Sequence, residues 1–161
     1  MNSKNMRLHN YLWMVFIGLL TASTMAWSGE LAGLWQEYDD DTGKVVALIR
    51  IEKLPDNTYE GTIEKVLSTD TDENAEFICR LCPGTLRNHS LLGLRILSGM
   101  KRKGNLNFEG GEVLDPDDGK TYRCRIHLAD DGNSLEVTGY ISINWIGHSE
   151  IWRLANQKQN K

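Results

Sequence analysis

The chain has 161 residues, 40% of them hydrophobic and 25% charged, with a formal charge of −4. Acids outnumber bases 22 to 18, a balance that speaks against nucleic acid or an anionic lipid surface as a partner. This length suits a single domain with one core or one small internal cavity, not two independent cores.

The opening MNSKNMRLHNYLWMVFIGLLTASTMAWSGE has Lys4 and Arg7 in front, an apolar run from Tyr11 to Leu20, and then small and polar residues. That is the plan of a secretory signal peptide. Thr24-Met25-Ala26 and Ala26-Trp27-Ser28 each offer a small-x-small cleavage site. Cleavage after Ala26 is expected, leaving residues 27–161 as one domain. An uncleaved anchor is the competing reading, but a run of about ten apolar residues falls short of the roughly 20 that span a bilayer. No cysteine follows the run, so a lipoprotein is not indicated. The expectation is a periplasmic or secreted protein with no stable membrane insertion. Losing Lys4 and Arg7 but no acid leaves 16 bases against 22 acids, a formal charge of −6.

Beyond the leader, apolar and polar residues alternate with the period of half-buried strands, and helical spacing is scarce. Eight strands are predicted, around GLWQEYD, KVVALIRIE, NTYEGTIEKV, LGLRILSGM, NLNFEGGEV, TYRCRIHL, SLEVTGYI and SEIWRLA. Val45, Ala47, Ile49 and Ile51 share one face of the second, and Tyr59, Gly61 and Ile63 one face of the third. Tyr122, Cys124, Ile126 and Leu128 share a face of the sixth, and Leu135, Val137, Gly139 and Ile141 a face of the seventh. The connections DDDTG, LPDN, KRKGN, DPDDG and ADDGN are turn clusters, which join neighbours antiparallel. An all-β, antiparallel, up-and-down meander of about eight strands follows, and closing it into a barrel removes its edges. Gly61, Gly93 and Gly139 suit the bends of a small closed barrel. One connection breaks the rhythm. From about Leu67 to His89 the chain runs roughly two dozen residues where 4–6 is usual, a length typical of lids and binding loops.

The segments GLW, DDDTGK, CRLCPG, GGEVLDPDDGKTYRC, VTGYI and IWR, taken together, resemble the family of small secreted bacterial proteins called domain of unknown function 2147, over almost the whole chain after the leader. Gly33-Leu34-Trp35 and Trp152-Arg153 further resemble the lipocalin (calycin-like) arrangement, in which a Gly-x-Trp near the start and a late Arg meet at the closed base. The resemblance implies a lipocalin-like barrel and a structural plug of Gly33, Trp35, Trp152 and Arg153, with the guanidinium over the indole contributing about 0.5–2 kcal/mol. It implies no activity. The family pattern has an arginine before the Gly-Tyr and another after the late Gly. This chain has Thr138 and His148 there, which puts a ligand role for those arginines in question.

Cys79, Cys82 and Cys124 are the only cysteines. Thiols in a secreted chain tend to oxidise. Chain entropy gives roughly 2 kcal/mol for a Cys79–Cys82 loop against roughly 4 for a loop of about 46 residues to Cys124. Proximity favours the short bridge, because Cys124 points into the core while the other two sit on a loop. A Cys79–Cys82 disulfide with Cys124 as a buried thiol is expected, with a bridge to Cys124 and reduced or metal-bound thiols as alternatives. A catalytic thiol would want a helix N-terminus in a βαβ setting, and zinc would want two close-spaced ligand pairs. Neither pattern is present. The acidic tips at Asp39–Asp41 and Asp115–Asp118 lack the spacing of a helix-loop-helix calcium loop and read as turn chemistry. There is no Gly-x-Ser-x-Gly and no phosphate loop, and His127 sits on a solvated face with Arg123 and Arg125.

No catalytic residue, metal or cofactor is therefore assigned. The expected function is that of a binding protein holding a small apolar molecule, such as a fatty, aromatic or quinone-like ligand, against Ala47, Ile49, Tyr59, Ile63, Tyr122, Ile126 and Val137. A filled barrel acting in envelope interaction or assembly through its surface and the 67–90 loop is the alternative. Tyr59, Met100, Phe108 and Tyr122 are large enough to fill much of a narrow barrel. A thiol-redox or metal-binding role of Cys79 and Cys82 is the second alternative.

Overall fold

Each Asp-rich tip folds into a turn by the same device. Thr42 donates to Asp39 Oδ1 from its backbone N–H at 2.7 Å and its hydroxyl at 2.6 Å, and Thr58 does the same to Asp56 Oδ1 at 3.0 and 2.7 Å. The backbone N–H groups of Asp117 and Asn133 donate to Asp115 Oδ1 and Asp131 Oδ1. Asx turns of this kind reverse the chain within a few residues and so set neighbours antiparallel.

The computed structural model describes residues 29–67, 77–141 and 147–155. The predicted leader and its cleavage site, and residues 68–76 of the long connection, lie outside the described residues. All eight predicted strands form: β1 (Gly33–Tyr38), β2 (Val45–Lys53), β3 (Thr58–Val66), β6 (Arg95–Arg102), β7 (Asn107–Asp115), β8 (Lys120–Leu128), β9 (Ser134–Tyr140) and β10 (His148–Leu154). Between β3 and β6 lies a small hairpin, β4 (Ile78–Cys79) and β5 (His89–Ser90). The eight long strands close in the order β1-β10-β9-β8-β7-β6-β3-β2, with every pairing antiparallel. Pairing of β1 with β10 completes the barrel and leaves no free edge among these strands. Where β3 passes β6 the register shifts on both sides of Gly61. A Cβ there would stand 2.9 Å from Leu97 Cβ, so the close approach requires glycine.

One end of the barrel is solid. Trp35, Ile49, Tyr59, Met100, Phe108 and Ile126 are almost fully buried there, and the Tyr59 and Phe108 rings meet edge-on at 5.2 Å. Residues 29–31 strap across this end. Trp35 Nε1 donates to the Leu31 carbonyl at 3.0 Å, and Arg102 Nη2 donates to that of Gly29 at 2.5 Å. Gly33 fits against the indole, since a Cβ would lie 3.4 Å from Trp35 Nε1.

The expected plug needs correction in its cation. Trp35 pairs with Leu154 and Gln36 with Arg153, so Arg153 falls on the outer face and its guanidinium lies 5.4 Å from the Tyr38 ring. The cations over rings at the closed end include Arg102, 4.7 Å from the Phe108 ring, and Lys53, 5.9 Å from the Tyr59 ring. Trp152 is buried as expected, but it belongs to the other half of the barrel. Ile141, placed on one face with Val137, stands one residue past β9 and is 65% exposed, yet it borders the same cavity as Val137.

Candidate functional site

The half of the barrel away from the strap is hollow, with a cavity of about 990 Å³. The same alternation that fills the closed end builds it, but with smaller side chains. Ala47 and Ile63 from β2 and β3, Ile96 from β6, Val137 from β9 and Trp152 from β10 form its apolar wall. Of the seven residues expected to touch a ligand, Ala47, Ile63, Tyr122 and Val137 line this space. The other three do not. Ile49, Tyr59 and Ile126 are 0%, 1% and 1% exposed within the solid end. Strand alternation tells inside from outside but carries no information about depth along the barrel axis.

Two carboxylates project into the cavity from neighbouring strands. Glu37 lies two residues beyond buried Trp35 on β1, and Glu150 two residues before buried Trp152 on β10. Glu150 Oε2 accepts a hydrogen bond from Trp152 Nε1 at 3.1 Å, while its other oxygen lies 3.5 Å from His148 Nε2. That same nitrogen is 3.2 Å from Asp40 Oδ2 at the mouth. Burial pushes the Glu37 carboxyl up to about 8, helped by the charge of Glu150 and a hydrogen bond with it, and then by Asp117 and Asp115. Asp117 is raised as well, by burial first and by Asp115 and Asp118 next. Sequence reasoning missed Glu37 and Glu150, although the signal was available. Each shares the inward parity of a tryptophan two residues away.

The rim is braced by the cysteine turn. Cys79 and Cys82 form the expected disulfide, with Cα atoms 5.4 Å apart, and both are fully buried. Cys79 Sγ sits 3.4 Å from the Pro116 carbonyl oxygen. Gly119, at φ +71°, is pressed so closely against Leu81 that a Cβ would run into the Leu81 carbonyl. The CRLCPG turn therefore clasps the β7–β8 turn, whose Asp115, Pro116 and Asp117 line the cavity. Tyr122 tightens the same turn by donating its hydroxyl proton to Asp118 Oδ2. The predicted long connection contributes Phe77 to the cavity lining, joined by Leu91 just beyond it. Cys124 is a free, buried thiol pushed up to about 12 by burial, so it is no nucleophile at ordinary pH.

An antiparallel eight-stranded barrel, solid at one end and hollow at the other, defines a lipocalin-like protein. This chain belongs to the family described as "Uncharacterized protein conserved in bacteria (DUF2147)", whose model matches residues 33–153. Among solved structures it is similar to protein HP1028 from the human pathogen Helicobacter pylori, described as belonging to the lipocalin family. The two share a TM-score of 0.65 and 24% sequence identity over 80% of this chain and 85% of that one, a likeness of fold. No curated protein sequence matches the chain.

Proposed function

We propose that the protein is a periplasmic or secreted binding protein that holds one small, largely apolar molecule in the hollow half of its barrel and catalyses no reaction on it. The observation that carries this reading is the cavity. Its volume of about 990 Å³ lies at the upper end of the roughly 300–1,000 Å³ common for small-molecule sites. Its wall combines the apolar side chains of Ala47, Ile63, Ile96, Val137 and Trp152 with the carboxyls of Glu37, Glu150, Asp115 and Asp117. Burying a ligand's apolar surface at about 25 cal/mol per Å² supplies several kcal/mol before ordering costs, enough for micromolar binding. The leader read in the sequence supports the compartment.

The test uses the protein purified from a bacterial periplasm. Native mass spectrometry is expected to show a carried small molecule or uptake of one neutral apolar probe, Nile red, with a matching rise in dye fluorescence. If neither Nile red nor any member of a lipid and quinone panel binds, the reading fails. In that case the surface alternative gains, because Phe77, Leu81 and Leu92 are 39%, 59% and 59% exposed on and beside the β4–β5 hairpin.

A further inference from the structure

The polar groups facing the cavity are strongly biased in sign. Glu37 and Glu150 stand together on one wall, Asp115 and Asp117 face them from the β7–β8 turn, and the Asp39–Asp41 turn borders the mouth. The charged groups that raise Glu37 most are acids: Glu150 on β10, then Asp117 and Asp115 on the β7–β8 turn. From β2, the strand on its other side, Val46 and Ala47 face the cavity, and neither carries a charge. Basic side chains on the lining sit at its outer edge. Lys120 is held 3.0 Å from Asp118 and His148 is shared between Asp40 and Glu150, each with a side chain 68% exposed.

We infer that the ligand is a cationic amphiphile, a molecule with an apolar body and a protonated amine, whose ammonium group sits between Glu37 and Glu150 while its body lies against Ala47, Ile63, Val137 and Trp152. This rests on the reading of the cavity as a ligand site and narrows it. A fatty-acid anion would bring one more negative charge among four carboxyls in a poorly screened space, where like charges repel far more strongly than in water. A neutral ligand would leave Glu37 without a counter-ion, since His148 is shared between Glu150 and Asp40. An ammonium group supplies that counter-ion and can donate to both carboxylates, and charge-assisted hydrogen bonds of this kind are stronger than neutral ones. The cation also reverses the effect that keeps Glu37 protonated, so an amine entering below about pH 8 displaces the Glu37 proton.

The experiment is displacement of bound Nile red by dodecylamine, dodecanol and dodecanoate, each below its micelle concentration, at pH 8. Competition with the dye confines the readout to the cavity. Dodecylamine is expected to displace the dye at a concentration about tenfold or more below that of dodecanoate, with dodecanol between them. In the E37Q/E150Q double variant the amine-over-acid ratio is expected to fall by about tenfold or more. Calorimetry of dodecylamine binding at pH 6.5, in two buffers of different ionisation enthalpy, is expected to show release of a proton. Dodecanoate matching dodecylamine, a preference that survives in the folded double variant, or binding without proton release would each overturn the inference. The calorimetric arm needs only the parent protein, so a double variant that fails to fold leaves the inference open to refutation. Failure of Nile red and dodecanol to bind at all sinks the cavity reading itself. Binding of those two without an amine preference sinks only the cation.

Discussion

The Glu37 carboxyl is held inside the barrel wall against three other acids, and that placement couples folding to pH. In the unfolded chain the group loses its proton near 4.5, whereas in the barrel it keeps it to about 8. The folded state thus binds more protons than the unfolded state between those values, and stability falls with rising pH across that window. Its contribution is fully present below pH 4.5, lost by about pH 8 and flat above. Glu37→Gln keeps the shape of the neutral acid and removes its titration. Urea midpoints of parent and variant measured from pH 4.5 to 9 are expected to diverge progressively, with the variant the more stable above pH 8. Parallel curves would show that Glu37 is solvated rather than held among the acids. Parity alone could have placed this residue, since Trp35 is an obvious inward residue and Glu37 follows it by one strand period. A carboxylate normally reads as surface, and only the meeting of β1 with β10 shows that a second carboxylate stands beside it.

At the scale of elements, the clasp between the cysteine turn and the β7–β8 turn depends on Gly119. Its left-handed backbone and its contact with Leu81 both exclude a side chain. Gly119→Ala is expected to cost about 1–3 kcal/mol from backbone strain alone, with the steric clash adding to it. Equilibrium denaturation reads that cost, and a shift below about 0.5 kcal/mol would mean that the two turns do not pack as described. The strap at the solid end makes a comparable demand on Trp35, whose ring is 1% exposed and whose Nε1–H is satisfied by Leu31. Trp35→Ala is expected to cost about 3–5 kcal/mol, as large aromatic deletions in cores do. An unchanged midpoint would remove Trp35 from the core. The long strands and their turns were legible because alternation and Asx chemistry are local signals. The β4–β5 hairpin was not, since two-residue strands carry no period. The outward face of Arg153 was legible too, since it follows inward Trp152 by one residue, but its place opposite Gln36 and beside Tyr38 depends on the inter-strand register.

For the whole molecule, the decisive property is how side-chain volume is distributed along the barrel axis. Trp35, Tyr59, Met100 and Phe108 converge on the strapped end, while Ala47, Val137 and Gly139 line the open half. Sequence reasoning weighed a full barrel against an empty one. The molecule is both, because strands of eight or nine residues place their large and small inward positions at different depths once registers are set. This division makes opposite demands on two nearby positions of β2. Ala47 pairs with Glu37 and Val66 and faces open space, so Ala47→Phe puts its ring into the cavity. Nile red uptake is expected to be lost while the unfolding midpoint shifts little. Ile49, two residues along on the same face, is fully buried in the solid half. Ile49→Phe has nowhere to place the added atoms and is expected to cost about 1–3 kcal/mol by overpacking while leaving dye uptake in place. Measuring both properties on both variants separates the halves, because each substitution moves one observable and spares the other. If Ala47→Phe destabilises the protein as much as Ile49→Phe does, the upper half is already full, and the ligand reading and the cation inference fall together.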